Sequence, residues 1–175
     1  MRDICTSADA SVPMITHHFG SKQGLYDEIV GSFSSNILAT PIRMIANTPS
    51  SKQDFTTRLE LFISETFAAL IAQAPVIRIL TRDGGDFENL RDAHSELANF
   101  LRSAQDQGFV RASLDIEMVT RLIFDRLGNQ IVFATNPAYG GPNVLTDEAF
   151  RKRWLAANIS VLVSAFVGCQ PTESE

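Results

Sequence analysis

The chain is short of the residues from which most catalytic and metal sites are built. It has 2 cysteines, Cys5 and Cys169, far apart and at no metal-ligand spacing, which argues against a disulfide framework or a zinc module. Of its 3 histidines, two are adjacent, His17 and His18. Neighbours on a helix point about 100° apart, so this pair is poorly placed to chelate one ion. No Ser-His-Asp spacing, glycine-rich phosphate loop or pair of carboxylates in an apolar setting stands out; Gly84-Gly85 and Gly140-Gly141 match turns. No enzymatic activity, cofactor or metal is therefore expected. No apolar run approaches the length of roughly 18 residues that a membrane span needs, and no basic start leads into an apolar segment. A membrane partner is not expected, and a cytoplasmic location is. Positive charge is also scarce: Lys and Arg number 15 against 20 Asp and Glu, a formal charge of −5.

What remains is an ordinary soluble composition, 45% hydrophobic and 20% charged over 175 residues. That length buries one good core, or one core with a small appended module. Strand-like alternation is absent, and the pattern is helical almost throughout. The most informative stretch is Ile4–Lys22, ICTSADASVPMITHHFGSK. A short helix to about Ser7 is followed by a tight turn at Ala8-Asp9-Ala10. Ser11 stands where an N-cap belongs. Pro13 falls in a first turn, where its missing N–H costs little. The helix so begun runs through Met14-Ile15-Thr16-His17 to His18-Phe19-Gly20, and Ser21 caps a further helix from Lys22. Two helices joined by a tight turn, the second short and exposed, form the arrangement that delivers a recognition helix to a major groove.

The run A-x-A-S-x-x-x-I-x-x-H-F-G-S-K followed by Leu25-Tyr26 resembles the DNA-binding signature of the tetracycline-repressor family. The resemblance covers about twenty positions; the remainder carries no family-specific motif. It implies an all-α fold, a truncated helix-turn-helix head followed by a helical ligand-binding and dimerisation bundle. It also implies a double-stranded DNA operator, a homodimer and an unidentified small-molecule effector as partners. Thr16 stands where many members carry Tyr, and Asp9 where Gly is usual. Members also have a helix and often a basic arm before the position of Met1, so the sequence is expected to begin at the second helix of that head. Residues 1–30 carry Arg2 and Lys22 against Asp3, Asp9, Asp27 and Glu28. Upstream cations would repair that balance, because phosphate neutralisation supplies much of DNA affinity.

We expect a partial DNA-binding domain over 1–30, a ligand-binding and dimerisation domain over 31–169, and a flexible tail over 170–175. For DNA contact the candidates are Ser11, Val12, Pro13, Met14, Thr16, His17 and Lys22. The apolar ones suit thymine methyls, the hydroxyls and His17 suit hydrogen-bonded readout, and Lys22 suits a phosphate. The helix from Lys22 is expected to pass Ile37-Leu38 and to end or kink near Thr40, before Pro41. Ser51 with Asp54 reads as a capping box. It opens a helix to about Gln73 whose apolar face is Phe55, Leu59, Phe62, Ile63, Thr66, Phe67 and Leu70. Shorter and longer helices follow at about 76–82 and 87–107, the latter closed by Gly108. Two more span about 115–135 and 147–167, with Thr146 as the expected cap of the last.

Both of these last helices are apolar on two sides and so need cover on both. Paired with a second copy they would form a four-helix interface, for which the candidates are Ile123, Leu127, Ile131, Trp154, Val161, Leu162, Ala165 and Phe166. A ligand pocket is expected among Phe62, Phe67, Leu70, Arg78, His94, Leu97, Phe124, Asn129 and Phe133. Arg78 reads more readily as a surface residue or a salt-bridge partner of Asp83 or Glu88, and His94 more readily as a core histidine. The function expected is a DNA-binding transcriptional regulator, a ligand-responsive repressor acting as a homodimer on a near-palindromic operator. The alternative is a dimeric small-molecule-binding or scaffold protein that has lost DNA binding.

Overall fold

The structure, a computed structural model, describes residues 2–34, 37–83, 88–134, 136, 138 and 140–167, without the side chains at 30, 32–34, 80–83 and 88–90. The expected tail, the Gly84-Gly85 turn, Cys169, and the side chains of Asp83 and Glu88 lie outside what the structure describes. All regular structure among the described residues is α-helical, as the sequence pattern implies. The chain divides into two compact units, residues 1–36 and 37–175.

The first unit holds α1 (Arg2–Ser7), α2 (Val12–Phe19) and α3 (Lys22–Ser34). α3 carries the unit past the boundary at 30 expected from the sequence. The second holds α4 (Ala39–Ile45), α5 (Lys52–Ala72), α6 (Ala74–Asp83), α7 (Glu88–Asp106), α8 (Ile116–Ala134) and α9 (Glu148–Val167).

α5 is the centre of the second unit, with α4, α6, α8 and α9 all packed against it. The seven residues assigned to its apolar face are its seven buried residues. Its phenylalanines divide the work of holding the bundle. Phe55 stacks on Phe100 of α7 at 5.5 Å and meets the edge of Phe166 of α9 at 6.3 Å. Phe62 meets Phe124 of α8 at 6.1 Å, and Phe67 stacks on Trp154 of α9 at 4.8 Å. Aromatic pairs in these offset and edge-on geometries are worth about 0.5–1.5 kcal/mol each beyond the area they bury. Ser51 caps α5 by accepting from the Asp54 N–H at 3.1 Å, while the Asp54 carboxylate reaches back to the Ser50 N–H at 2.8 Å.

Arg58, on the flank of that apolar face, ties three helices together. Its Nε donates to the Met44 carbonyl at 2.7 Å and its Nη2 to the Asn47 carbonyl at 2.5 Å, both at the end of α4. Its guanidinium lies 4.8 Å over the Phe100 ring of α7 and pairs with Asp54 at 3.3 Å. The carbonyls at a helix end have no intrahelical donors, so a half-buried guanidinium fork satisfies several at once. Arg111 acts similarly at the other end of the unit. Its backbone N–H donates to the Phe166 carbonyl at 3.2 Å and its guanidinium to that of Ala165. The α7–α8 connector is thereby tied to the end of α9. Gly108 turns out of α7 with φ 74°, where a side chain would be strained.

Two local expectations are corrected. α3 and α4 are separate helices, and Pro41 is the third residue of α4, buried, instead of a terminator. A proline there sacrifices no hydrogen bond, because the first four N–H groups of a helix have no partner within it. The cap of α9 is Asp147, whose carboxylate accepts from the Phe150 N–H at 2.9 Å. Thr146 is held instead by Asn143, whose Oδ1 accepts the N–H groups of Leu145 at 2.9 Å and Thr146 at 3.2 Å.

Candidate nucleic-acid interface

α2 has only eight residues, too few to be stable alone, so its conformation depends on its ends and its neighbours. At its start the Ser11 hydroxyl accepts the Met14 N–H at 3.3 Å, with Ser11 in extended backbone conformation. Before it, α1 ends in a left-handed residue, Asp9 at φ 48°, and the Ala10 N–H returns to the Cys5 carbonyl at 2.9 Å. This six-to-one closure normally uses glycine; Asp is among the few other residues that enter the left-handed region without large cost.

At its end α2 breaks at Gly20, φ 72° and ψ −51°, and the Ser21 N–H bonds to the Phe19 carbonyl at 2.8 Å across that single residue. This is a γ-turn, a conformation strained for any side-chain-bearing residue. Ser21 caps α3 at once, its hydroxyl accepting the Gly24 N–H at 3.0 Å. Gly24 was not singled out by sequence reasoning, yet it fixes the approach of α2 to α3. A Cβ there would lie 2.0 Å from the Phe19 carbonyl oxygen and 3.2 Å from its carbon. Its only sequence signal is an otherwise unhelpful glycine in the first turn of a helix.

The single buried residue of α2 is Ile15. Ser11, Val12, Pro13, Met14, Thr16 and His17 are all exposed, as is Lys22 at the start of α3. Six of the seven candidates thus occupy one short, capped segment, with Lys22 next to its far end. His17 and His18 meet edge-on at 5.3 Å, and His18 tilts against Phe19 at 6.3 Å. Among the described residues no group of three or more His, Cys, Asp or Glu is placed to hold a metal. α1 and α2 flank an open concavity of about 650 Å³ lined by Arg2, Cys5, Thr6, Asp9, Ala10, Ser11 and Val12.

Of the nine expected ligand-binding residues, Phe62, Phe124 and His94 meet in ring contacts. Phe62, Phe67, Leu70, Leu97 and Phe124 are buried in the core, the aromatic ones in the ring pairs described above. Arg78, Asn129 and Phe133 are exposed. His94 also lines an open groove of about 270 Å³ between α7 and α8. Ser95, Ala98, Asn99, Arg102, Glu117 and Thr120 complete it, so it is more polar than the pocket expected. His94 stacks on Phe124 at 4.3 Å. Burial there, and secondarily the Arg121 charge, lower its pKa below 6.5, with Asp125 acting in the opposite sense.

An imidazole harder to protonate when folded opposes acid. The unfolded chain takes up the proton first, so this contribution to stability is complete above 6.5 and is lost as pH falls through the lower folded value. Urea melts between pH 8 and pH 5 are expected to show this loss, and His94→Asn is expected to flatten it. An unchanged profile in that variant would remove His94 as the cause.

The interface candidates on α8 and α9 also need correction. Ile123, Leu127, Ile131, Leu162 and Phe166 are buried in the chain's own core, and Trp154 is engaged with Phe67. Ala165 is half-buried. The exposed apolar residues of these helices are Met118 (51%), Leu122 (56%), Phe133 (45%) and Val161 (69%). Val161 alone among the eight candidates is strongly exposed. The two-sided apolar pattern was real, but periodicity alone could not say which side the chain keeps for itself.

No protein-family model matches this chain, and no curated protein matches it by sequence. Among solved structures, the ketosteroid transcriptional regulator KstR2 of Mycobacterium tuberculosis is similar to it. The TM-score is 0.67 with 18% identity, covering 96% of this chain and 84% of that one. The two proteins share a fold. It is all-α, as the sequence pattern implies. No helix among the described residues is long and apolar enough to cross a membrane.

Proposed function

We propose that this protein is a DNA-binding transcriptional regulator of the tetracycline-repressor type, with α2 as its recognition helix. The observation that carries the reading is the outward presentation of Ser11, Met14, Thr16 and His17 on a helix capped at its start and held by one buried residue, Ile15. The shared fold with a protein described as a transcriptional regulator supports it. The polar members suit hydrogen-bonded contact, and Lys22, at a helix start, suits a phosphate.

The regulator acts as a homodimer on a near-palindromic operator, since a twofold axis sets two recognition helices one DNA turn apart. The exposed Met118, Leu122 and Val161, with Ala156 and Ala157 of α9, are the apolar surface for a second copy, and the small Ser160 and Ser164 permit close approach. It is a repressor, released by a small molecule that binds the DNA-free conformation better; a coupling of about 1–3 kcal/mol is typical of such linkage.

A dimeric binding or scaffold protein without DNA affinity is the second reading, favoured by the low charge of residues 1–36, two cations against four carboxylates. Gel shifts with the gene's own upstream DNA at two salt concentrations separate the readings. The regulator gives sequence-specific binding that weakens with salt. The scaffold gives none at either concentration.

A further inference from the structure

We propose that the front of α2 reads thymine, through apolar contact of Pro13 and Met14 with the 5-methyl groups of the major groove; this rests on the DNA-binding reading above. Ile15, the buried residue, fixes the inward direction of the helix. At about 100° per residue, the opposite direction falls between Pro13 and His17, with Thr16 and Met14 each about 80° to either side. Val12 lies further round, about 120° from the outward direction.

The foremost outward side chains at the start of the helix are therefore a pyrrolidine ring and a thioether. Both are exposed, Met14 by 47%, and neither can donate a hydrogen bond to a base edge. A guanine needs such a donor at O6 and N7, whereas thymine offers the one apolar group in the major groove. Thr16 adds a methyl beside its hydroxyl.

The site is accordingly a half-site with thymines under the N-terminal turn of α2.

The test uses the full chain and a duplex taken from its own upstream DNA, with each thymine replaced in turn by deoxyuridine, which removes the methyl and leaves base pairing unchanged. At one or two positions per half-site, affinity is expected to fall about four-fold, the effect of exposing one buried methyl. Met14→Ala is expected to weaken binding to the thymine duplex and to erase the uracil effect at one of those positions. Equal affinity for every uracil duplex overturns the proposal while leaving the DNA-binding reading intact. A Met14→Ala protein that keeps the full uracil sensitivity overturns the assignment to this residue. Failure to bind any duplex at low salt overturns the DNA-binding reading and the proposal with it.

Discussion

Gly24→Ala is expected to loosen the α2–α3 packing and to cost DNA affinity by one to two orders of magnitude. The substitution looks benign from the sequence, because alanine gains up to about 1 kcal/mol of helix propensity over glycine. Against that stands a Cβ only 2.0 Å from the Phe19 carbonyl oxygen. The obstacle is backbone, so no side-chain rotation relieves it, and the end of α2 must move by more than an ångström. Overpacking of this kind costs about 1–3 kcal/mol.

The cost falls on a unit with little reserve. Cys5 and Ile15 are the residues that α1 and α2 bury, and Ile4, Phe19 and Ile29 remain more than a third exposed. Amide exchange over residues 2–34 is expected to accelerate, and DNA affinity to fall with the fraction of heads that stay competent. The thermal transition of residues 37–167 should stay where it is. A variant with slower exchange and undiminished DNA binding would show that α2 and α3 do not meet at Gly24.

Arg58→Met is expected to lower the melting temperature of the second unit by roughly 5–15 °C, a loss of about 2–4 kcal/mol. Methionine keeps much of the packing against Phe100 but leaves the Met44 and Asn47 carbonyls without their donor and Asp54 without its cation. Hydrogen bonds from a charged group contribute about 1.5–3 kcal/mol each, and unmet acceptors add their desolvation cost. Arg58→Lys should recover little of this, since an ammonium cannot reproduce the planar fork. Differential scanning calorimetry of both variants decides the matter. A shift below 2 °C in Arg58→Met would mean that water serves α4 as well as the guanidinium does.

The sequence was most legible where one residue answers one geometric demand. Ser11, Ser21 and Ser51 stand before helices and each accepts the N–H three residues on. The buried face of α5 follows from a period of 3.6 sustained over about four turns. It was least legible where the answer depends on a distant partner. Nothing near Arg58 announces that it folds back over fourteen residues to Met44. The outward stripes of α8 and α9 differ from the inward ones only in what the remaining chain covers. Pro41 is ambiguous in the sequence because a proline ends one helix and begins the next with equal ease.

The site shows the same division. The motif marks α2 and its exposed residues, whereas Phe62, Phe67 and Phe124 of the expected ligand set also hold α5 to its neighbours.

Amide exchange of the full chain, with and without a bound duplex from its own upstream DNA, tests the central claim most directly. If α2 enters a groove, protection on binding concentrates at residues 11–22, with the solvent-facing positions of α5 unchanged. Protection that spares 11–22 and appears elsewhere, or no change at saturating duplex, would contradict it.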